Sequence, residues 1–166
     1  GAGVNFDNSH FAPPVTITLA GADYDIDVGD MNNDGLPDLL VEITNAARIF
    51  RNTYTGGAIT ADALTLDVSI TGSFLNPKLQ DIDGDDLLDV ATVNGILRKN
   101  ISTGSTIEID ANVTFGGGGS NIAFADFNQN GKMDLAHPSN GSNQLILKEN
   151  RTRKGPFTAG TFPSLS

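Results

Sequence analysis

Cysteine and tryptophan are absent from this 166-residue chain, histidine occurs twice and glutamate three times. Without cysteine there is no disulfide, no thiol nucleophile and no thiolate metal site, and the redox compartment stays open. No apolar run approaches the roughly 20 residues of a membrane-crossing helix, so no membrane insertion is expected. No signal peptide is visible either. The two histidines, His10 and His137, have no partner pattern around them. Each reads as a surface or edge residue rather than a base, and no nucleophile, base and orienting group can be assembled. The chain is therefore expected not to be an enzyme.

Aspartate is what the chain has in excess. Of 20 acids 17 are Asp, against 10 Lys and Arg, for a net charge of −10. That charge argues against nucleic acid as a partner. A solvated helical face would use Glu and Lys, whereas Asp, Asn and 19 glycines belong to loops and caps.

The acids are also ordered. Asp30, Asp81 and Asp126 each open a similar stretch, "DMNNDGLPD", "DIDGDDLLD" and "DFNQNGKMD", at separations of 51 and 45 residues. Glycine stands nine places before each, at Gly21, Gly72 and Gly117. Two apolar runs follow each loop, the second closing on Asn52, Asn100 or Asn150. This order predicts three repeats, approximately 20–70, 71–114 and 115–162, in one segment spanning 1–166.

Apolar residues alternate with polar ones between the loops, as in Tyr24, Ile26 and Val28, or Leu64, Leu66, Val68 and Ile70. A period of two is that of strands, and no window of about 12 residues carries a helical stripe. The fold class expected is all-β, with about four short antiparallel strands per repeat, the size of one propeller blade. The strands are predicted at 23–29, 38–43, 47–52 and 64–69, then 76–81, 88–93, 95–99 and 106–113. The third repeat offers 121–126, 134–137 and 143–149 but no clear fourth strand. Residues 13–19, "PPVTITL", read as an outer strand with no inner strands before it. The closing "GPFTAGTFPSLS" resembles the opening "VNFDNSHFAPPVTI", as if another repeat began. Three blades are fewer than the usual four to eight, so the expectation is either a piece of a larger propeller or a propeller completed by other chains or copies.

The loops place oxygen-bearing side chains at positions 1, 3, 5 and 9, with a carbonyl available at 7. Such a shell suits calcium, which takes about six to eight oxygens flexibly. Position 6 must turn sharply. Gly35 and Gly131 serve there, while the second loop has Asp86, which tolerates a left-handed conformation better than most residues, with Gly84 two places earlier. An EF-hand would need a bidentate Glu at position 12 and helical flanks. Position 12 is Val41, Thr92 or His137, and the flanks read as strands.

The pattern D-x-[DN]-x-[DN]-G-x-x-D between strands resembles the FG-GAP and VCBS repeats, the calcium-binding blades of integrin α-subunit propellers and of many secreted proteins. The likeness covers roughly residues 11–162. "HFAPP" and "TFGGGG" only approximate the family's Phe-Gly and Gly-Ala-Pro landmarks. By this resemblance the first site would use Asp30, Asn32, Asp34, Asp38 and the carbonyl of Leu36. The second would use Asp81, Asp83, Asp85, Asp89 and the carbonyl of Leu87. The third would use Asp126, Asn128, Asn130, Asp134 and the carbonyl of Lys132. Two to three structural Ca2+ ions are implied, the second site binding most tightly because all four of its side chains are carboxylates.

The expected function is a non-catalytic, extracellular or cell-surface segment acting in adhesion or assembly through protein–protein contacts. Millimolar calcium outside cells would keep such loops filled. A lectin-like glycan-binding module is one alternative, although Tyr24 and Tyr54 are the only tyrosines and no tryptophan could form a platform. An accessory propeller of a polysaccharide-degrading or other multi-subunit enzyme is another. The basic cluster Arg151, Arg153 and Lys154 could meet an acidic surface or glycan, though such clusters are usually solvated. "TFGGGGS" at 114–120 lacks the Lys-Ser/Thr of a phosphate loop and reads as a connection between blades.

Overall fold

The computed structural model describes residues 7–116, 119–139, 141–152, 157, 161 and 162. Within them the chain is all-β, arranged as three antiparallel sheets of four, four and three strands. The first sheet joins β1 (Asp23–Gly29), β2 (Asp38–Ile43), β3 (Ala46–Asn52) and β4 (Leu64–Thr71) in sequence order. The second does the same with β5 (Lys78–Gln80), β6 (Asp89–Ala91), β7 (Ile96–Asn100) and β8 (Ile109–Thr114). The third holds β9 (Ala123–Ala125), β10 (Asp134–Pro138) and β11 (Leu145–Lys148), and β11 is an edge. Among the described residues two short 3-10 turns, Asn8–His10 and Ala61–Ala63, interrupt this pattern. No helix among the described residues is long and apolar enough to cross a membrane.

Side-chain alternation directs the packing. In the second sheet Val90 turns toward the first sheet, meeting Met31, Leu40 and Ile49, while its neighbour Ala91 joins Leu97 against Ile82, Ile122 and Leu135. The middle sheet is thus covered on both faces, and its inner strand β6 is buried along its whole length. On the outer flank of the first sheet, Val41, Ile43 and Phe50 form a smaller cluster with Leu19 and Leu64 beside it.

Three sequence expectations change. Leu64, Leu66, Val68 and Ile70 do not share a face. A bulge shifts the register of β4 between the partners of Ile49 and Phe50. Leu64 then joins the outer cluster, whereas Val68 and Ile70 pack toward the second sheet. The residue released by the bulge, Asp67, accepts hydrogen bonds from Arg51 Nε at 2.8 Å and from the Ile107 amide at 3.0 Å. A bulge that re-aims one side chain explains a polar residue inside an otherwise regular strand.

Residues 13–19 form no strand and pair with nothing among the described residues, although Ile17 and Leu19 line a hollow of about 370 Å³ against Leu39, Val41 and Phe50. His137 is buried rather than exposed: β10 turns it inward, and its Nδ1 lies 3.0 Å from the Pro138 carbonyl. His10 sits on the surface beside Asp7. Of the other sequence features, Gly117, Arg153 and Lys154 and most of 155–166 lie outside the described residues, as do residues 1–6.

Candidate metal centre

Each loop connects the first two strands of its sheet, so its ends are fixed by strand pairing, Gly29 with Asp38 in the first sheet and Gln80 with Asp89 in the second. Between those ends the backbone follows the same course three times. Positions 4 and 6 both take left-handed φ: Asn33 and Gly35 at 58° and 87°, Gly84 and Asp86 at 76° and 70°, Gln129 and Gly131 at 59° and 81°. Asp86 therefore completes its turn as the glycines do. The second loop compensates by placing its glycine at position 4, where the other two carry Asn and Gln.

The conserved geometry is held by the opening aspartates. Asp30 accepts the amides of Asp34 at 3.1 Å and Gly35 at 2.8 Å. Asp81 accepts those of Gly84, Asp85 and Asp86 at 2.8–3.2 Å, and Asp126 those of Asn130 and Gly131 at 3.0 and 2.8 Å. At position 5, Asp34, Asp85 and Asn130 each cap the amide two residues on, at Leu36, Leu87 and Lys132. The Asx geometry thus shapes the loop before any ion is considered.

Position 9 is a different kind of residue. Asp38, Asp89 and Asp134 are buried, and each bridges two backbone amides with its two oxygens. Asp38 accepts from Met31 and Asn52, both at 2.8 Å. Asp89 accepts from Ile82 at 3.0 Å and Asn100 at 2.8 Å, and Asp134 from Phe127 at 3.1 Å and Asn150 at 2.8 Å. Burial pushes Asp89 up to about 7 despite the two amides that favour its charged form. Burial raises Asp38 in the same way, with Asp34 and Asp30 adding repulsion. Each carboxylate oxygen has a second lone pair, so these bonds leave room for a cation.

Convergence is tightest in the second loop. Oxygens of Asp81, Asp83 and Asp89 lie within 4.8 Å of one another, and the buried Oδ1 of Asp83 has no hydrogen-bond partner. The sequence reading missed what stands beside them: the Lys99 ammonium pairs with both Asp83 and Asp85. Burial acts to raise Asp85, but the hydrogen bonds from Lys99 and Leu87 and the lysine's charge outweigh it and hold the carboxyl below its usual range. Burial likewise works against the charged lysine, and the two carboxylates more than offset it.

Lys99 immediately precedes the closing Asn100, and the residues at the same place in the other units are Arg51 and Glu149. Arg51 is drawn away to Asp67, while Glu149 approaches Asn128 at 3.4 Å and pairs with Arg151 at 2.9 Å. The first loop thus has three acids and the second five, each with one cation just before its closing Asn, but only the second holds that cation on the loop. In the third loop the residue before the closing Asn is an acid, which adds a carboxylate where the loop itself has only Asp126 and Asp134. That position was legible as a fixed offset from Asn52, Asn100 and Asn150, but its direction depended on the β-hairpin pairing.

The three closing asparagines, singled out by their recurrence, also bind their own loops. Their side-chain amides donate to the carbonyls of Pro37, Leu88 and Met133 at 3.0 Å each. Their side-chain oxygens accept the amides of Tyr54, Ser102 and Thr152, two residues on, at 2.9–3.0 Å. No protein-family model matches the chain, and no curated protein or solved structure matches it either.

Proposed function

We propose that the chain is a non-catalytic, calcium-stabilised segment of a β-propeller, similar to FG-GAP and VCBS repeats, that acts outside the cell in adhesion or assembly. The observation that carries this reading is the second loop, where three carboxylates converge and a fully buried Asp83 oxygen lacks any partner. A hard cation with oxygen ligands answers both features, since it neutralises the crowd and supplies the missing contact. Asp81, Asp83, Asp85 and Asp89 with the Leu87 carbonyl would hold it there, and the matching residues of the first and third loops would form further sites. The third loop has Glu149 within reach of its Asn128 as a further oxygen donor. In the second loop an incoming ion competes with Lys99, which already offsets part of the charge. The first loop has no such competitor, so the order of strength expected from carboxylate count alone gives way to near parity between them.

Three meanders with the same loop geometry support the propeller reading, as one such sheet per blade is the repeat of that architecture. Isothermal titration of chelator-treated protein with calcium tests the site. Binding of two or three ions, with a higher melting temperature, is expected. No heat of binding together with an unchanged melting temperature would falsify the calcium reading.

A further inference from the structure

Three of the four ligand carboxylates in the second loop converge, and the fourth does not. Asp81, Asp83 and Asp89 bring oxygens within 4.8 Å of one another, whereas Asp85 stands outside that group. Lys99 accounts for the difference. Its ammonium pairs with Oδ2 of Asp85 and with Oδ2 of Asp83, so it draws one carboxylate aside and occupies an oxygen of another. Oδ1 of Asp85 is meanwhile fixed on the Leu87 amide at 3.0 Å.

The ammonium is closely housed. The side chain of Lys99 is 12% exposed, that of Asp85 15% and that of Asp83 0%. The ammonium also lies 5.7 Å from the ring centroid of Phe157, which is buried in one cluster with Ile82 of the same loop. An aromatic face attracts a cation. Oδ1 of Asp83 remains buried and without a partner. One cation is therefore seated in the loop, and one buried oxygen beside it is unused. The first and third units do not repeat this arrangement, since Arg51 turns to Asp67 and Glu149 is an acid.

We propose that Lys99 is a built-in cation that the second loop exchanges for calcium, and that this exchange makes the loop selective for divalent over monovalent ions. On exchange Asp85 releases the ammonium and joins Asp81, Asp83 and Asp89, and Lys99 moves out to solvent. An ammonium and a divalent ion sharing Asp83 and Asp85 would repel at close range, and burial weakens the screening between them. The choice of ion follows from charge. Exchanging the ammonium for a divalent cation adds one positive charge to a crowd of carboxylates, whereas exchanging it for sodium or potassium adds none. The ammonium is also tethered, so a monovalent ion must displace a partner that is always at hand. With no ion present Lys99 offsets the carboxylates' repulsion, and the loop keeps its turn. The proposal rests on the calcium reading above and adds to it a loop with two states.

The test is a brief acetylation pulse on the full chain, read lysine by lysine by mass spectrometry. Lys78 serves as the internal reference, because it pairs with Asp25 outside the loops and its side chain is 33% exposed. Lys99 should react slowly in chelator and about tenfold or more faster once calcium saturates the chain, since a side chain held by buried carboxylates reacts only when it opens. Sodium or potassium chloride at matched ionic strength should leave it slow. In Lys99→Gln, where no ammonium guards the loop, replacing choline chloride with sodium chloride should raise the melting temperature more than in wild type. Fast acetylation of Lys99 in chelator overturns the proposal, as does its release by sodium alone. An equal response of Lys99→Gln and wild type to sodium overturns the lysine's part in ion choice. Calcium binding by titration with no change at Lys99 sinks this inference and leaves the calcium reading standing, whereas no calcium binding at all removes both.

Discussion

Asp34 and Asp38 lie four residues apart in one loop and have opposite duties. Asp38 is buried and gives both oxygens to backbone amides, whereas Asp34 is exposed and holds one local amide and the Asn32 side chain. Replacing Asp38 with Ala strands the amides of Met31 and Asn52, each a loss of about 1–3 kcal/mol when a buried donor is left unsatisfied. Chemical denaturation should therefore show Asp38→Ala destabilised by about 2–4 kcal/mol even in chelator, with a further loss in calcium because a ligand goes as well. Asp34→Ala should cost little in chelator and more in calcium. Equal penalties in both buffers for Asp34→Ala would remove it from the ligand set. Lys99→Gln makes a contrasting case. Removing one partner of a buried ion pair costs about 3–5 kcal/mol, so the variant should melt well below wild type in chelator. Calcium should restore most of that loss and bind the second loop more tightly than in wild type. Weaker calcium binding by this variant would show that lysine and ion do not compete.

Between elements, the closing asparagines separate local from long-range work. Asn52, Asn100 and Asn150 all stitch a hairpin end to its loop, but only the last two reach the preceding unit, at Met31 and Ile82. Asn100 and Asn150 are also fully buried. Asn100→Ala should cost about 2–4 kcal/mol, through a cavity and unsatisfied carbonyls, and Asn52→Ala about 1 kcal/mol. Chemical denaturation checks this, and equal costs would mean that the bond between units adds nothing. The bulge of β4 belongs to the same scale. It bends a strand so that Asp67 caps the Ile107 amide in the next unit, which puts Ile107 where Met31 needs it.

For the whole molecule, stability is the sum of three small sheets and the two joints between them, as in stacked repeats. Carboxylates crowd along the loop end, and part of their repulsion is offset by Lys99 and by backbone amides. Adding calcium should raise the melting temperature of the intact chain. An adjoining effect follows from the second residue of each loop, Met31, Ile82 or Phe127. Ile82→Ala empties a fully buried position and should destabilise the chain by about 2–5 kcal/mol, while Phe127→Ala leaves the isolated chain's stability within about 0.5 kcal/mol. A large loss from Phe127→Ala in the monomer would place that side chain in the chain's own core.

The sequence by itself determined the strands and the loops, because both rest on local rules. Alternation set every strand within a few residues, and the spacing of Asp, Asn and Gly imposed the same turn three times, since each side-chain oxygen reaches amides only two to five residues away. Recurrence also marked Asn52, Asn100 and Asn150 as special, without a reason. That reason is tertiary: a side-chain amide meeting a carbonyl 68 or 69 residues earlier depends on how one sheet lies on the next. The same holds for Lys99 against Asp83 and Asp85, for the burial of His137, and for Asp89, whose raised pKa comes from the apolar layers above and below it. Alternation assigns a residue to a face, and only the packing of sheets decides what that face meets.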